Sequence, residues 1–157
     1  MSIDIPQLQR GDHLIYSPSD LFGWLIAIKT WSLSSHIEIY IGEGRSVAAR
    51  TAGVNVYPVR YENLTAILRP IQKPDLDAAM LWFYSHAKGQ AYDYFGMLVF
   101  YLAAKQGDKS KMFCSEFATR FDRAAGLTPF HACFDADHIA PGNFFMSPAF
   151  EWVMANR

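Results

Sequence analysis

The chain predicts an α+β domain, with an antiparallel sheet early and helices late, and three observations carry that prediction. Residues 36–69 are a succession of short, alternating apolar and polar segments broken by Gly-containing turns, the pattern of antiparallel strands. From Pro74 onward, apolar residues recur at helical spacing instead. No repeat, low-complexity stretch or linker divides the 157 residues, a length that buries one substantial core without staples. The expectation is a single domain over residues 1–157.

Gly11-Asp12 reads as a turn entering a strand, His13-Leu14-Ile15-Tyr16. Ser17-Pro18-Ser19-Asp20 supplies capping chemistry for a helix whose Leu21, Trp24, Leu25 and Ile28 share one face, continuing to about Trp31. Ser32 to Ser35 form a polar joint into the next strand. There His36, Glu38 and Tyr40 share one face, and Ile37, Ile39 and Ile41 the other. Gly42-Glu43-Gly44 turns the chain, and Arg45 to Thr51 returns as the partner strand. Gly53 breaks that strand before Val54 to Val59, and Ala66 to Arg69 forms another that ends at Pro70. The sheet should have four or five strands.

Pro74-Asp75 opens a helix in which Leu76, Met80, Phe83 and Ala87 repeat until Gly89. Ala91 to Gly96 starts a second, strongly apolar helix to about Lys105, with Asp93 as its N-cap, and Gln106 to Lys111 is a polar loop. A third helix runs from Cys114 to about Ala125 and ends at Gly126, a good C-cap. Pro141-Gly142 and Pro148 mark a loop, followed by a short terminal helix around Ala149 to Met154.

Composition narrows the function classes. Half the residues are hydrophobic and 15% aromatic, which suits a packed core rather than disorder. The net charge is −1 with no Lys/Arg cluster, so a nucleic-acid partner has no electrostatic footprint. Two cysteines, Cys114 and Cys133, argue against a disulfide framework and for a reducing compartment. The first residues lack the basic and apolar regions of a signal peptide. The longest apolar run, Tyr94 to Ala104, is about half of the ~20 residues that a spanning helix needs. The expectation is a soluble, cytoplasmic protein with no integral membrane segment; composition leaves oligomeric state open.

Chemistry concentrates in Cys114 and His36. A thiol at a helix N-terminus meets unpaired amides and the positive end of the helix dipole, which favour thiolate over thiol. An imidazole on a rigid strand can take its proton, completing a Cys/His nucleophilic centre. Each residue alone also has a plainer reading: Cys114 as a small buried hydrophobe, His36 as a packed structural histidine. Glu116 is favourable at a helix start and reads as structural. His13, His86, His131 and His138 sit apart. The run His131-Ala132-Cys133 with Asp135, Asp137 and His138 resembles a metal cluster superficially but lacks paired zinc-site spacing, so no metal is assigned.

Gly11-Asp12 before an apolar strand, Ser35 to Gly42, Val47-Ala48-Ala49 followed by Gly53-Val54, Tyr92-Asp93 and Phe113-Cys114-Ser115-Glu116 occur in one order. That ordered set resembles the circularly permuted NlpC/P60 papain-like proteins, the group that includes lecithin retinol acyltransferase-like enzymes, from about Gly11 to Phe150. In ordinary papain-like enzymes the cysteine precedes the histidine; here His36 precedes Cys114, as in the permuted group. The resemblance implies a papain-like fold and a cysteine hydrolase or acyl-transfer centre. Cys114 would be the nucleophile, His36 the acid and base, and backbone amides at the start of the Cys114 helix the oxyanion site. No cofactor is implied.

The sequence departs from that family at Ala48, about where its members carry a third polar residue on the strand after the histidine. Either the centre is a dyad, or another residue substitutes. Glu38, on the His36 face, is the first substitute, although two residues along a strand is ~7 Å and its carboxylate would have to reach back. Arg50 is placed either to hold a substrate carboxylate or to pair with Glu38, and a solvated charge is the plainer reading of either residue. Three functions follow: a thiol hydrolase of amides, with cell-wall peptides as the suggested substrate class; a lipid-directed acyltransferase or thioesterase on the same centre; or a non-catalytic binding module. The expected partner of the first two is a small peptide or an acyl or amide substrate.

Overall fold

Alternation of side chains becomes a six-stranded antiparallel sheet in the computed structural model, which describes residues 7–19, 34–92 and 111–155. The strands are β1 (His13–Tyr16), β2 (His36–Gly42), β3 (Arg45–Arg50), β4 (Gly53–Pro58), β5 (Leu64–Pro70) and β8 (Phe150–Ala155), in the order β4-β3-β2-β1-β5-β8. Two further short strands, β6 (Ala91–Tyr92) and β7 (Lys111–Met112), pair in parallel. Helix α1 spans Leu76–Trp82 and α2 spans Cys114–Ala124. The expected helix over residues 21–31 and the apolar helix over 94–105 lie outside the described residues.

The two faces of the sheet differ. Ile15, Ile37, Ile39, Val47, Ala49, Val54 and Leu68 project toward the helices and meet Phe83, Phe117 and Phe121 in the main core. Each of the Val, Leu, Ile and Phe side chains contributes roughly 1.5–3 kcal/mol on full burial. The opposite face holds a smaller cluster of Leu14, Tyr16, Leu64 and Ile67. Asp75 caps α1 by accepting from the Ala78 amide at 3.0 Å, and Phe83–Ala87 continues the helix as a π turn before Gly89. Gly53 has a φ of 104°, and a Cβ there would meet the Gln90 carbonyl at 2.8 Å; only glycine lets residues 89–90 dock on β4.

Three expectations need correction. The tail is not a helix but the edge strand β8, paired with β5. A six-residue helix has too few internal hydrogen bonds to persist alone, whereas the open edge of β5 offers a full ladder to an aromatic-rich segment. This sixth strand also takes the sheet beyond four or five. Ala91-Tyr92, read as the start of a helix, instead forms β6.

Polar groups lock the elements together. Asp12 accepts two hydrogen bonds from Arg69, each 2.8 Å, which ties the entry of β1 to β5. His13, fully buried, stands between the Gly11 carbonyl (Nδ1, 3.0 Å) and the Asp122 carboxylate (Nε2, 2.9 Å). A carbonyl only accepts, so Nδ1 carries a proton and the second proton is shared with Asp122. Burial pushes the Asp122 carboxyl up, against the pull of His13. Asp122→Ala should therefore leave a buried imidazole nitrogen unsatisfied and cost about 1–3 kcal/mol. Chemical denaturation checks this, with Asp122→Asn, whose amide can donate to Nε2, expected to recover most of the loss.

Candidate active site

The parallel β6–β7 ladder delivers the chain to Phe113, whose extended backbone (φ −101°, ψ 168°) forms the N-cap of α2. Cys114 is therefore the first helical residue. No i−4 carbonyl within the helix serves the amides of this first turn, so they and the dipole act on the thiol. Glu116 accepts from the Phe113 amide and pairs with Arg120 at 2.8 Å; burial, reinforced by Asp137, pushes its carboxyl up to about 7. Ser115 ties the same turn to the Ile139 carbonyl at 2.5 Å. The mouth of the helix is thus fixed from both sides.

The start of β2 meets this turn. Cys114 Sγ lies 3.8 Å from the carbonyl of Ser35, the residue before His36, and the thiol is close enough to raise the His36 pKa. Cys114 is 2% exposed, and the His36 side chain 16%. His36 Nε2 is 3.0 Å from Oε1 of Glu38. The structure thus brings together three residues singled out in the sequence, Cys114, His36 and Glu38. Glu38 does reach back along its own strand.

The register explains how. Ile39 faces Val47 and Tyr40 faces Ser46, which sets Ala48 opposite Glu38 on the same sheet face. The alanine methyl leaves space for the carboxylate, and its same-face neighbours Ser46 and Arg50 close on it. Ser46 Oγ donates to Oε2 at 2.5 Å, while Arg50 donates from Nε to Oε1 and from Nη2 to Oε2, both at 2.8 Å. Arg50 Nη2 also donates to the Pro58 carbonyl at 3.0 Å, and its guanidinium lies 4.4 Å over the Tyr57 ring. Of the two roles open to Arg50, its placement matches the pairing with Glu38. Arg60 Nη2 approaches Oε1 at 3.3 Å.

Electrostatics follow from these contacts. Burial pushes the fully buried Glu38 carboxyl up, but hydrogen bonds from His36 and Arg50, the His36 charge and the Ser46 hydroxyl outweigh it and hold the group well below the usual carboxylate range. Burial pulls His36 down, yet the contacts and charges of Cys114 and Glu38 push it up to about 9. An imidazole that keeps its proton to that pH can donate it to a neighbouring group. Cys114, His36 and Glu38 are thus electrostatically linked neighbours.

Ala48 is consequently a packing requirement. Ala48→Leu should drive side-chain volume into the Glu38–Arg50 pair, cost about 1–3 kcal/mol and release His36 from its carboxylate. Thermal unfolding together with an NMR titration of His36 checks it, the expected titration moving below about 9.

Sequence reasoning missed Ser46, Arg60 and the His13–Asp122 pair. Ser46 was accessible in principle, since it shares the Ala48 face at the two-residue period. Arg60 lies beyond β4 in a segment without periodicity and gave no signal. The downstream run divides in two. His131 Nδ1 is 3.0 Å from Cys133 Sγ at the surface, and Asp135, Asp137 and His138 bring ligand atoms within 4.8 Å of one another. Asp93 lies outside the described residues.

Fold and site define an α+β protein with a Cys–His–carboxylate cluster at the meeting of a strand and a helix mouth. No protein-family model matches the sequence, and no protein of curated function matches it. Among the described residues, no helix is long and apolar enough to cross a membrane.

Proposed function

We propose that the protein is a cysteine hydrolase of the amidase or peptidase type, built on the permuted papain-like plan that its motifs resemble. The observation that carries this reading is His36 held between the Cys114 thiol and the Glu38 carboxylate. The third polar residue that the family carries on the next strand is replaced by a carboxylate on the histidine strand itself, so the gap at Ala48 does not leave the imidazole unoriented.

In the proposed reaction the Cys114 thiolate attacks an amide carbonyl. A C–S bond forms, and the carbonyl electron pair moves to oxygen, facing the amides of the first α2 turn, that of Cys114 included. Collapse of this adduct breaks the C–N bond while the His36 imidazolium gives its proton to the departing amine. Water then attacks the thioester with neutral His36 as base, releasing a carboxylic acid and restoring the thiolate–imidazolium pair. Glu38 stays ionised throughout and stabilises the imidazolium. Cell-wall peptides are the substrate class suggested by the resemblance, and no cofactor enters the scheme.

Intact-protein mass spectrometry during incubation with peptide amides and peptide thioesters tests the reading. The expected result is a transient acyl adduct on Cys114 with equimolar release of amine or thiol. Durable transfer of a fatty acyl chain from a lipid ester, without peptide cleavage, would move the protein to the lipid-directed class. Absence of any adduct on Cys114 would leave a binding module of the same fold.

A further inference from the structure

We propose that Tyr16 is a positioning residue for His36: its ring shields the His36–Glu38 hydrogen bond from water and holds the imidazole on the carboxylate. The inference rests on the reading of His36 as proton carrier and adds a residue that the reaction scheme does not use. Tyr16 ends β1 and stands directly opposite His36 in the β1–β2 ladder, with Leu14 opposite Glu38. Facing residues of an antiparallel pair project to the same side of the sheet, so these two β1 side chains run alongside the His36–Glu38 pair. The Tyr16 and His36 ring centroids are 5.9 Å apart, with their planes inclined at 44°. Tyr40, which shares the His36 face of β2, packs against the same cluster of Leu14 and Tyr16.

The two neighbours of β2 thus play different parts. From β3, Ser46 and Arg50 supply hydrogen bonds to Glu38. From β1, Leu14 and Tyr16, 0% and 3% exposed, supply apolar surface. The Arg60 guanidinium covers that wall, 5.3 Å over the Tyr16 ring. An ionised carboxylate only accepts, so Nε2 of His36 carries the proton of its 3.0 Å contact with Glu38. The His36 side chain is 16% exposed, and water reaching Nε2 would compete with the carboxylate for that proton. A charged hydrogen bond is stronger where water is kept away, and the Tyr16 ring occupies that place. The hydroxyl is not the acting part. The Arg60 backbone amide approaches it without completing a hydrogen bond, and burial together with the Glu38 charge keeps the phenol neutral.

Exchange of the His36 Nε2 proton with water, read by NMR on the full ¹⁵N-labelled chain at neutral pH, tests this directly. Tyr16→Leu and Tyr16→Met keep apolar bulk in the Leu14 cluster but withdraw the ring; Tyr16→Phe keeps the ring and removes the hydroxyl. Backbone amide spectra report whether each variant retains the sheet. Exchange should be roughly tenfold faster in Tyr16→Leu and Tyr16→Met, the scale of one hydrogen bond opened to water. It should stay close to the native rate in Tyr16→Phe. Native exchange in a folded Tyr16→Leu or Tyr16→Met would overturn the proposal. So would an equal acceleration in Tyr16→Phe, which would assign the effect to the hydroxyl. Alkylation of Cys114 by iodoacetamide, mapped by peptide mass in the same proteins, separates this from the nucleophile reading. An unreactive Cys114 in the native chain would overturn that reading, while the exchange rates still decide whether Tyr16 holds His36.

Discussion

Cys114→Ala is expected to abolish amide or thioester turnover, by on the order of 10⁴- to 10⁶-fold, while the fold persists. The proposed chemistry passes through an S–C bond, and no other group at the site can replace the thiolate as nucleophile. The structural cost is small by comparison. Cys114 is buried, but alanine removes a single sulfur atom beside the Ser35 carbonyl, about 1 kcal/mol or a few degrees of Tm. The variant should also lower the pH at which His36 loses its proton, because contact with Cys114 helps push that value up to about 9. Turnover assays, thermal unfolding and His36 NMR titration on one protein separate these effects. Full activity in Cys114→Ala would sink the mechanism.

Glu38→Gln should produce the largest loss of stability at the site. Glu38 is completely buried and takes five donors from four residues, three of them cationic. An amide of the same shape leaves those cations facing a neutral group, and breaking a buried ion pair from one side costs about 3–5 kcal/mol. At this chain length that corresponds to a fall in Tm on the order of 10 °C. The pH dependence has a definite sign. Glu38 is held below its ordinary value of 4.5, so its contribution is present above that pH and lost as acid protonates it. His36 is raised from 6.5 to about 9, so its contribution is complete below 6.5 and lost as pH rises through about 9. The gap in Tm between native protein and variant should be widest between pH 4.5 and 6.5 and narrow toward pH 9. A pH-independent gap would mean that Glu38 acts through packing alone.

How much of this was legible in the sequence depended on the range of each interaction. Local periodicity placed β1 to β5 and both described helices, because strand and helix patterns are written in neighbouring residues. The shared face of His36 and Glu38 followed from the same two-residue period. What stayed hidden was set by pairing between distant segments. The Ala48 gap looked like a missing residue until the register put Glu38 over it. The tail adopts a strand because β5 presents an open edge, a fact that no window around Phe150 contains. His13 and Asp122, 109 residues apart, form a buried pair that neither position announces. Arg60 carries no pattern at all; only its approach to Glu38 sets it apart from other exposed arginines.

The central claim, an assembled thiolate–imidazolium pair oriented by Glu38, is tested most directly by the rate of Cys114 alkylation against pH in the native chain and in His36→Ala. The expected native profile shows reaction well below the pH of a free thiol, about 8.5. In His36→Ala the rise should move up toward that of a free thiol. An unreactive Cys114, or a titration that is the same in both proteins, would contradict the account.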